Sequence, residues 1–127
     1  MRQVEVGKIF VFGLNLAGRH GKGAALHAAT HHGAERGVGF GPTGNAYAIP
    51  TKDEHLNVLP RDMIQVYIDE FIDYARANPD TLFYLTPVGT GLSGYSVFGM
   101  RAMFRGTPPN VEWADTWDDE KRTPSPF

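Results

Sequence analysis

The chain contains no cysteine, which excludes a disulfide framework, a zinc–thiolate site and a thiol nucleophile. Positive charge is not in surplus either: 12 Lys and Arg stand against 14 Asp and Glu, a formal net charge of −2. A protein whose main task is to neutralise a phosphate backbone needs a cationic excess on one face. Strong nucleic-acid backbone binding is therefore not expected, while a local basic pocket is compatible with the balance. Apolar runs of about eighteen residues, the length needed to span a bilayer, do not occur. The opening residues Met1 to Val6 lack the apolar stretch behind a basic patch that marks a secretory leader. Neither secretion nor membrane insertion is expected, and a cytoplasmic location is the corresponding expectation.

What is present suits one compact core. At 127 residues with 42% hydrophobic and 20% charged, the chain reads as one domain over residues 1–117. A loosely held tail is expected over 118–127, where charges give way to Thr123-Pro124-Ser125-Pro126. Fifteen glycines and nine prolines are more than a helix bundle favours, so shaped loops are expected.

Ile9-Phe10-Val11-Phe12 is a short run of β-formers closed by Gly13 and reads as a buried strand. A glycine loop follows, and from Lys22 the residues Ala24, Ala25, Leu26, Ala28 and Ala29 favour a helix that stops at Gly33. Gly37 to Gly44 has loop chemistry, and Ala46 to Ile49 predicts a second strand ending at Pro50. Pro60 and Asp62 suit a helix start, after which Met63, Val66, Tyr67, Phe71, Tyr74 and Ala75 recur at helical spacing, widened by Ile64, Ile68 and Ile72. Leu82 to Leu85 predicts a third strand, Val97 to Phe104 a short helix, and Val111 to Trp113 a last strand. Strands alternating with helices predict an α/β fold with a mostly parallel central sheet and helices on both faces.

Two glycine loops follow predicted strands, Gly13 to about Gly21 and Gly89 to Gly94. In open parallel sheets ligands bind beyond the carboxyl ends of the strands. Glycine there lets backbone N–H groups approach a ligand with no Cβ in the way, and a helix N-terminus adds partial positive charge. Phosphate or diphosphate suits such a cradle, although either loop alone is also explained as a tight turn. The P-loop pattern fails because Gly23 follows Lys22, and no G-x-G-x-x-G opens the first helix.

The segment Phe10-Val11-Phe12-Gly13-Leu14-Asn15-Leu16-Ala17-Gly18-Arg19-His20-Gly21-Lys22-Gly23-Ala24-Ala25-Leu26 resembles the first ligand loop of macrodomains, in particular the Gly-Lys-Gly subgroup of DNA ADP-ribosyl glycohydrolase antitoxins. The second loop, Pro87-Val88-Gly89-Thr90-Gly91-Leu92-Ser93-Gly94-Tyr95, is similar to the macrodomain loop that wraps the diphosphate and distal ribose. The likeness runs from about Ile9 to Trp113, with specific matches in the two loops. It implies a single-domain, three-layer α/β/α fold that binds ADP-ribose, or an ADP-ribosylated DNA or protein, without a metal or cofactor. It implies ligand contacts from Gly13, Leu14, Gly18, Arg19, Gly21, Gly23 and Ala24, and from Gly89, Thr90, Gly91, Leu92, Ser93, Gly94 and Tyr95.

The same resemblance implies catalytic positions at Asn15, on the distal ribose, and Lys22. Near a ribose C1″ a neutral lysine attacks as a nucleophile, and a protonated one stabilises developing negative charge. His20 is a candidate general acid or base, or a phosphate ligand. Ser93 stands where some lysine-type relatives carry an acid, which speaks against a lysine-plus-aspartate mechanism. ADP-ribosyl hydrolysis and simple sequestration of a nucleotide are thus both open. Compact members of this kind also resemble phage proteins, for which sequestering a nucleotide signal is useful.

His27, His31 and Glu35 are four apart, a spacing that can bind a metal only with a rigid third ligand, and a polar helix face is the commoner outcome. Asp53-Glu54-His55 falls near the expected ligand loops, as catalytic support or as solvated loop. Trp113 and Trp117 read as packing residues or as adenine-stacking groups. A plain α/β interaction protein, whose glycine loops are only turns, is the remaining alternative.

Overall fold

The computed structural model describes residues 7–91 and 93–118. The elements run β1 (Lys8–Asn15), α1 (Gly23–His31), β2 (Gly41–Thr43), β3 (Ala46–Lys52), α2 (Arg61–Ala77), β4 (Leu82–Leu85), α3 (Val97–Met103) and β5 (Val111–Trp113), followed by a 3-10 turn at Asp115–Asp118. The sheet order is β2-β3-β1-β4-β5. All neighbours pair in parallel except the β2–β3 hairpin. The α/β class and the mostly parallel sheet follow the alternation of strands and helices in the sequence. The expected tail falls largely outside the described residues.

Strand β1 decides how the core divides. Its side chains alternate between faces: Phe10, Phe12 and Leu14 pack with Ala24, Ala25 and Ala28 of α1, while Val11 packs with Ile64, Ile68, Phe71 and Ile72 of α2 and Met100 of α3. This is the period of two expected of a strand covered on both sides. Each large side chain fully buried here contributes about 1.5–3 kcal/mol. The buried stripe of α2 is Ile64, Ile68, Phe71, Ile72 and Ala75. Met63 and Val66, read from the sequence as part of the inward face, are 43% and 56% exposed. The apolar face of α2 is wider than the sheet can cover, and the isoleucines take its centre.

Three local expectations need correction. β1 runs through Gly13 to Asn15. β2 forms within the glycine-rich stretch, with Gly41 at φ +87°. β3 continues through Pro50 to Lys52. Proline is tolerated because β2 pairs only with Ala46 to Ala48, so at Pro50 one edge of β3 lacks a ladder partner and no N–H is needed there. Backbone proximity explains the glycine content of the 33–44 region: a Cβ on Gly44 would collide with the Gly33 carbonyl.

The order of strands creates the site. From β1 the chain passes by α1 and β2 to β3 on one side, then crosses by α2 to β4 on the other. The carboxyl ends of β1, β3 and β4 therefore meet at a point where the connections diverge in opposite directions, the place where open α/β sheets form a crevice.

Candidate functional site

A cavity of about 440 Å³ opens at that point. It is lined by Gly13, Leu14 and Asn15 at the end of β1, and by Arg19, Gly21, Lys22, Gly23, Ala24 and Ala25 in the first loop and the start of α1. Thr51, Lys52 and Leu56 line it from the end of β3, and Gly89, Gly91 and Ser93 from the second glycine loop. The two loops are neighbours at their bases: a Cβ built on Gly13 would lie 3.4 Å from the Gly89 amide nitrogen.

The α1 end of the cavity is an uncapped helix N-terminus. Lys22 occupies the N-cap in extended conformation without a side-chain cap, and the first turn holds no acidic residue. The contrast is α3, where Ser96 accepts from the Gly99 amide. Gly23, at φ +59°, begins α1, and the first-turn amides of a helix have no intrahelical partner. An anion is the natural complement of such an end.

The charge on the walls has one sign. Among the described residues Arg19, Lys22 and Lys52 line the cavity and no Asp or Glu does. Among the described residues none of these three side chains makes an ion pair or a side-chain hydrogen bond. A cavity with unpaired cations and no carboxylate favours an anionic ligand.

Each described residue expected from the sequence has a definite place. Asn15 lines the cavity but commits its amide locally: Nδ2 donates to the Arg19 carbonyl at 2.9 Å and Oδ1 accepts from the Arg19 N–H at 3.0 Å. It staples the first loop, leaving one N–H and one lone pair for other partners. Lys22 lines the cavity and is solvent-exposed.

His20 does not fit its expected role at the ligand. It is 1% exposed, is not among the lining residues, and its ring lies 5.8 Å from that of Phe12. Its Nδ1 donates to the Gly18 carbonyl at 2.9 Å, and its Nε2 is buried without a hydrogen-bond partner among the described residues. Burial lowers its pKa, opposed by the Gly18 hydrogen bond and assisted by the Arg36 charge. The imidazole is a neutral strut behind the first loop.

Gly18, Thr90, Gly94 and Tyr95, also expected at the ligand, shape the loops from outside the cavity. Gly18 has φ +71° and its carbonyl accepts from the Gly37 amide. The Thr90 hydroxyl donates to the Pro87 carbonyl at 2.7 Å. The Gly94 and Tyr95 amides close the second loop onto the Gly91 and Gly89 carbonyls. The Tyr95 hydroxyl donates to the Leu59 carbonyl at 2.8 Å, and Arg61 lies over its ring. Leu92 lies outside the described residues.

Thr51, Lys52 and Leu56 are additional lining residues that the sequence reading did not select. Ending β3 at Pro50 hid them, although the rule placing ligands beyond strand ends pointed to this segment. Asp53, Glu54 and His55 themselves do not line the cavity. Asp53 instead organises the turn, its Oδ1 accepting from the His55 and Asn57 amides, which holds its carboxyl below the usual range.

Among the described residues no set of three His, Cys, Asp or Glu side chains is arranged to hold a metal ion. His27 and His32 gather round Phe10 instead, the His32 ring stacked on it at 4.4 Å. Trp117 is a packing residue, buried with its Nε1 donating to the Leu85 carbonyl at 2.8 Å. Among the described residues no helix is long and apolar enough to cross a membrane. No protein-family model matches the chain, and neither does any curated protein or solved structure.

Proposed function

We propose that this protein binds ADP-ribose, or a closely related nucleotide diphosphate, between its two glycine loops, on a single-domain macrodomain-like fold of three layers. The observation that carries this reading is the meeting of both loops in one cavity that holds Arg19, Lys22 and Lys52 and, among the described residues, no carboxylate. A diphosphate complements the free end of α1 and these cations. The cavity volume of about 440 Å³ lies in the range of small-ligand pockets, about 300–1,000 Å³. Binding and sequestration of a nucleotide need nothing further from the site.

Hydrolysis of an ADP-ribosyl linkage is the second reading, and the specific observation in its favour is Lys22, exposed at the first turn of α1 and lining the same cavity. Among the described residues no lining residue is an acid, and His20 is buried away from the cavity. A hydrolase reading therefore rests on Lys22 with ordered water, whereas the binding reading draws on the whole wall.

Titration calorimetry with ADP-ribose, supported by thermal shift, tests the first reading. At a ligand concentration one hundred times Kd the fold gains about 2.7 kcal/mol. No heat and no shift with ADP-ribose or NAD would remove it. Incubation with ADP-ribosylated DNA and ADP-ribosylated protein tests the second: released ADP-ribose that disappears in Lys22→Ala supports hydrolysis, and no release from either substrate leaves binding alone.

A further inference from the structure

The segment joining β3 to α2 has features that its role as a connection does not require. Lys52 and Val58 form an antiparallel bridge, and the Asp53 N–H donates to the Asn57 carbonyl at 2.8 Å. Inside this small hairpin, Asp53 Oδ1 accepts from the amides of His55 and Asn57 at 2.8 and 2.9 Å. The amide of Leu56 donates to the Asp53 carbonyl at 3.1 Å. The turn is therefore fixed on both sides of Leu56.

Leu56 is held there at φ +68°, and among the described residues no other non-glycine residue has a positive φ. An L residue avoids this region because its Cβ crowds the following carbonyl, and glycine or asparagine is the usual occupant. Core packing does not offset the strain, because Leu56 is 47% exposed. Its side chain instead lines the cavity. Among the described residues the other apolar side chains on the wall, Leu14, Ala24 and Ala25, are already buried, so of these Leu56 is the one with apolar surface left for a ligand to cover. Non-glycine residues kept in strained backbone tend to mark binding sites.

We propose that the 52–58 hairpin is a third ligand-binding element, in which Leu56 covers the apolar face of the ligand's nucleobase while Lys52, on the same hairpin, pairs with its phosphates. This rests on the nucleotide-binding reading and names what recognises the base. A flat heterocycle offers the broadest apolar face in a nucleotide diphosphate, and so gains most from cover by an apolar side chain.

The test compares wild type, Leu56→Ala, Leu56→Gly and Lys52→Gln by calorimetry with ADP-ribose over a range of salt, together with thermal unfolding of the ligand-free proteins. Leu56→Ala and Leu56→Gly are expected to weaken ADP-ribose binding by about tenfold without changing its salt dependence. Lys52→Gln is expected to flatten the salt dependence. Ligand-free Leu56→Gly should melt at or above the wild-type temperature, because glycine is free of the positive-φ strain. A merely structural Leu56 would lower stability and leave affinity alone.

Wild-type affinity retained within about twofold in both Leu56 variants overturns the hairpin proposal while the nucleotide-binding reading stands. Absence of ADP-ribose binding by wild type overturns both.

Discussion

The hydroxyl of Thr51 lies 2.7 Å from the hydroxyl of Ser93, joining the end of β3 to the second glycine loop across the cavity floor. Thr51 is 3% exposed, so its hydroxyl depends on Ser93 for a partner at this point. Ser93→Ala leaves that group with one fewer hydrogen bond, at a cost of about 1 kcal/mol. The expected result is a lowered melting temperature and faster hydrogen exchange at Gly94 and Tyr95, whose amides close the loop. Unchanged exchange at both amides would show that the pair does not hold the loop.

Lys22 separates binding from folding. It is exposed and gives α1 no side-chain cap, so Lys22→Ala should change stability by no more than about 0.5 kcal/mol. Loss of a cation from the diphosphate site should weaken ADP-ribose by about tenfold, the scale of one charge-assisted hydrogen bond. Calorimetry and thermal unfolding on the same preparation check both halves. Equal affinity in wild type and variant would remove Lys22 from the site.

Two glycines should respond in opposite ways. A Cβ on Gly39 would meet the carbonyl oxygen of Leu16, with that of Asn15 at 2.8 Å. Gly39→Ala must therefore push backbone from backbone beneath the first loop, with an expected loss of about 3 kcal/mol. A Cβ on Gly21 meets nothing within 4 Å, yet Gly21 lines the cavity. Gly21→Val should fold with nearly wild-type stability and lose ligand affinity. Denaturant unfolding and calorimetry distinguish the two; Gly39→Ala as stable as wild type would contradict this backbone approach.

Stability should fall in mild acid. Burial, helped by the charges of His27 and His31, lowers the His32 pKa from 6.5 to about 4, and its Nε2 is buried without a partner. Between these values the unfolded chain binds a proton that the folded one refuses. The stability is thus complete above about pH 6.5 and is lost progressively as the pH falls towards 4, by about 3 kcal/mol at most. His20 and His27, both lowered first by burial, act in the same direction. His32→Phe retains a ring against Phe10 and should flatten the melting temperature between pH 6.5 and 4.5. An equally steep profile in that variant would assign the acid sensitivity to other groups.

Much of the fold was legible because it depends on local pattern. Ile9 to Phe12, the alanine-rich run of α1 and the isoleucine-spaced run of α2 state their own element types. The first loop and the second were legible as glycine clusters after strands. Residues 41–43 and 50–52 were not, because glycine and proline usually end strands. Here β2 forms through a two-residue turn, and Pro50 faces an edge that β2 leaves bare. His20 was misread for a similar reason: a titratable ring in a ligand loop suggests chemistry, and nothing local reveals that it turns inward against Phe12.

The sequence by itself determined the absence of thiol chemistry, the alternation of strands and helices, and the two glycine loops with Lys22 at the start of a helix. Each follows from composition or short-range periodicity. Only the tertiary structure decided that β1 would lie between β3 and β4, and this brings Thr51, Lys52 and Leu56 to face Gly21 to Ala25 and Gly89, Gly91 and Ser93 around one cavity. The physical reason is that strand order is fixed by how both faces of β1 are buried at once, by α1 on one side and by α2 and α3 on the other. That competition is among residues far apart in the chain, and no local window of sequence contains it.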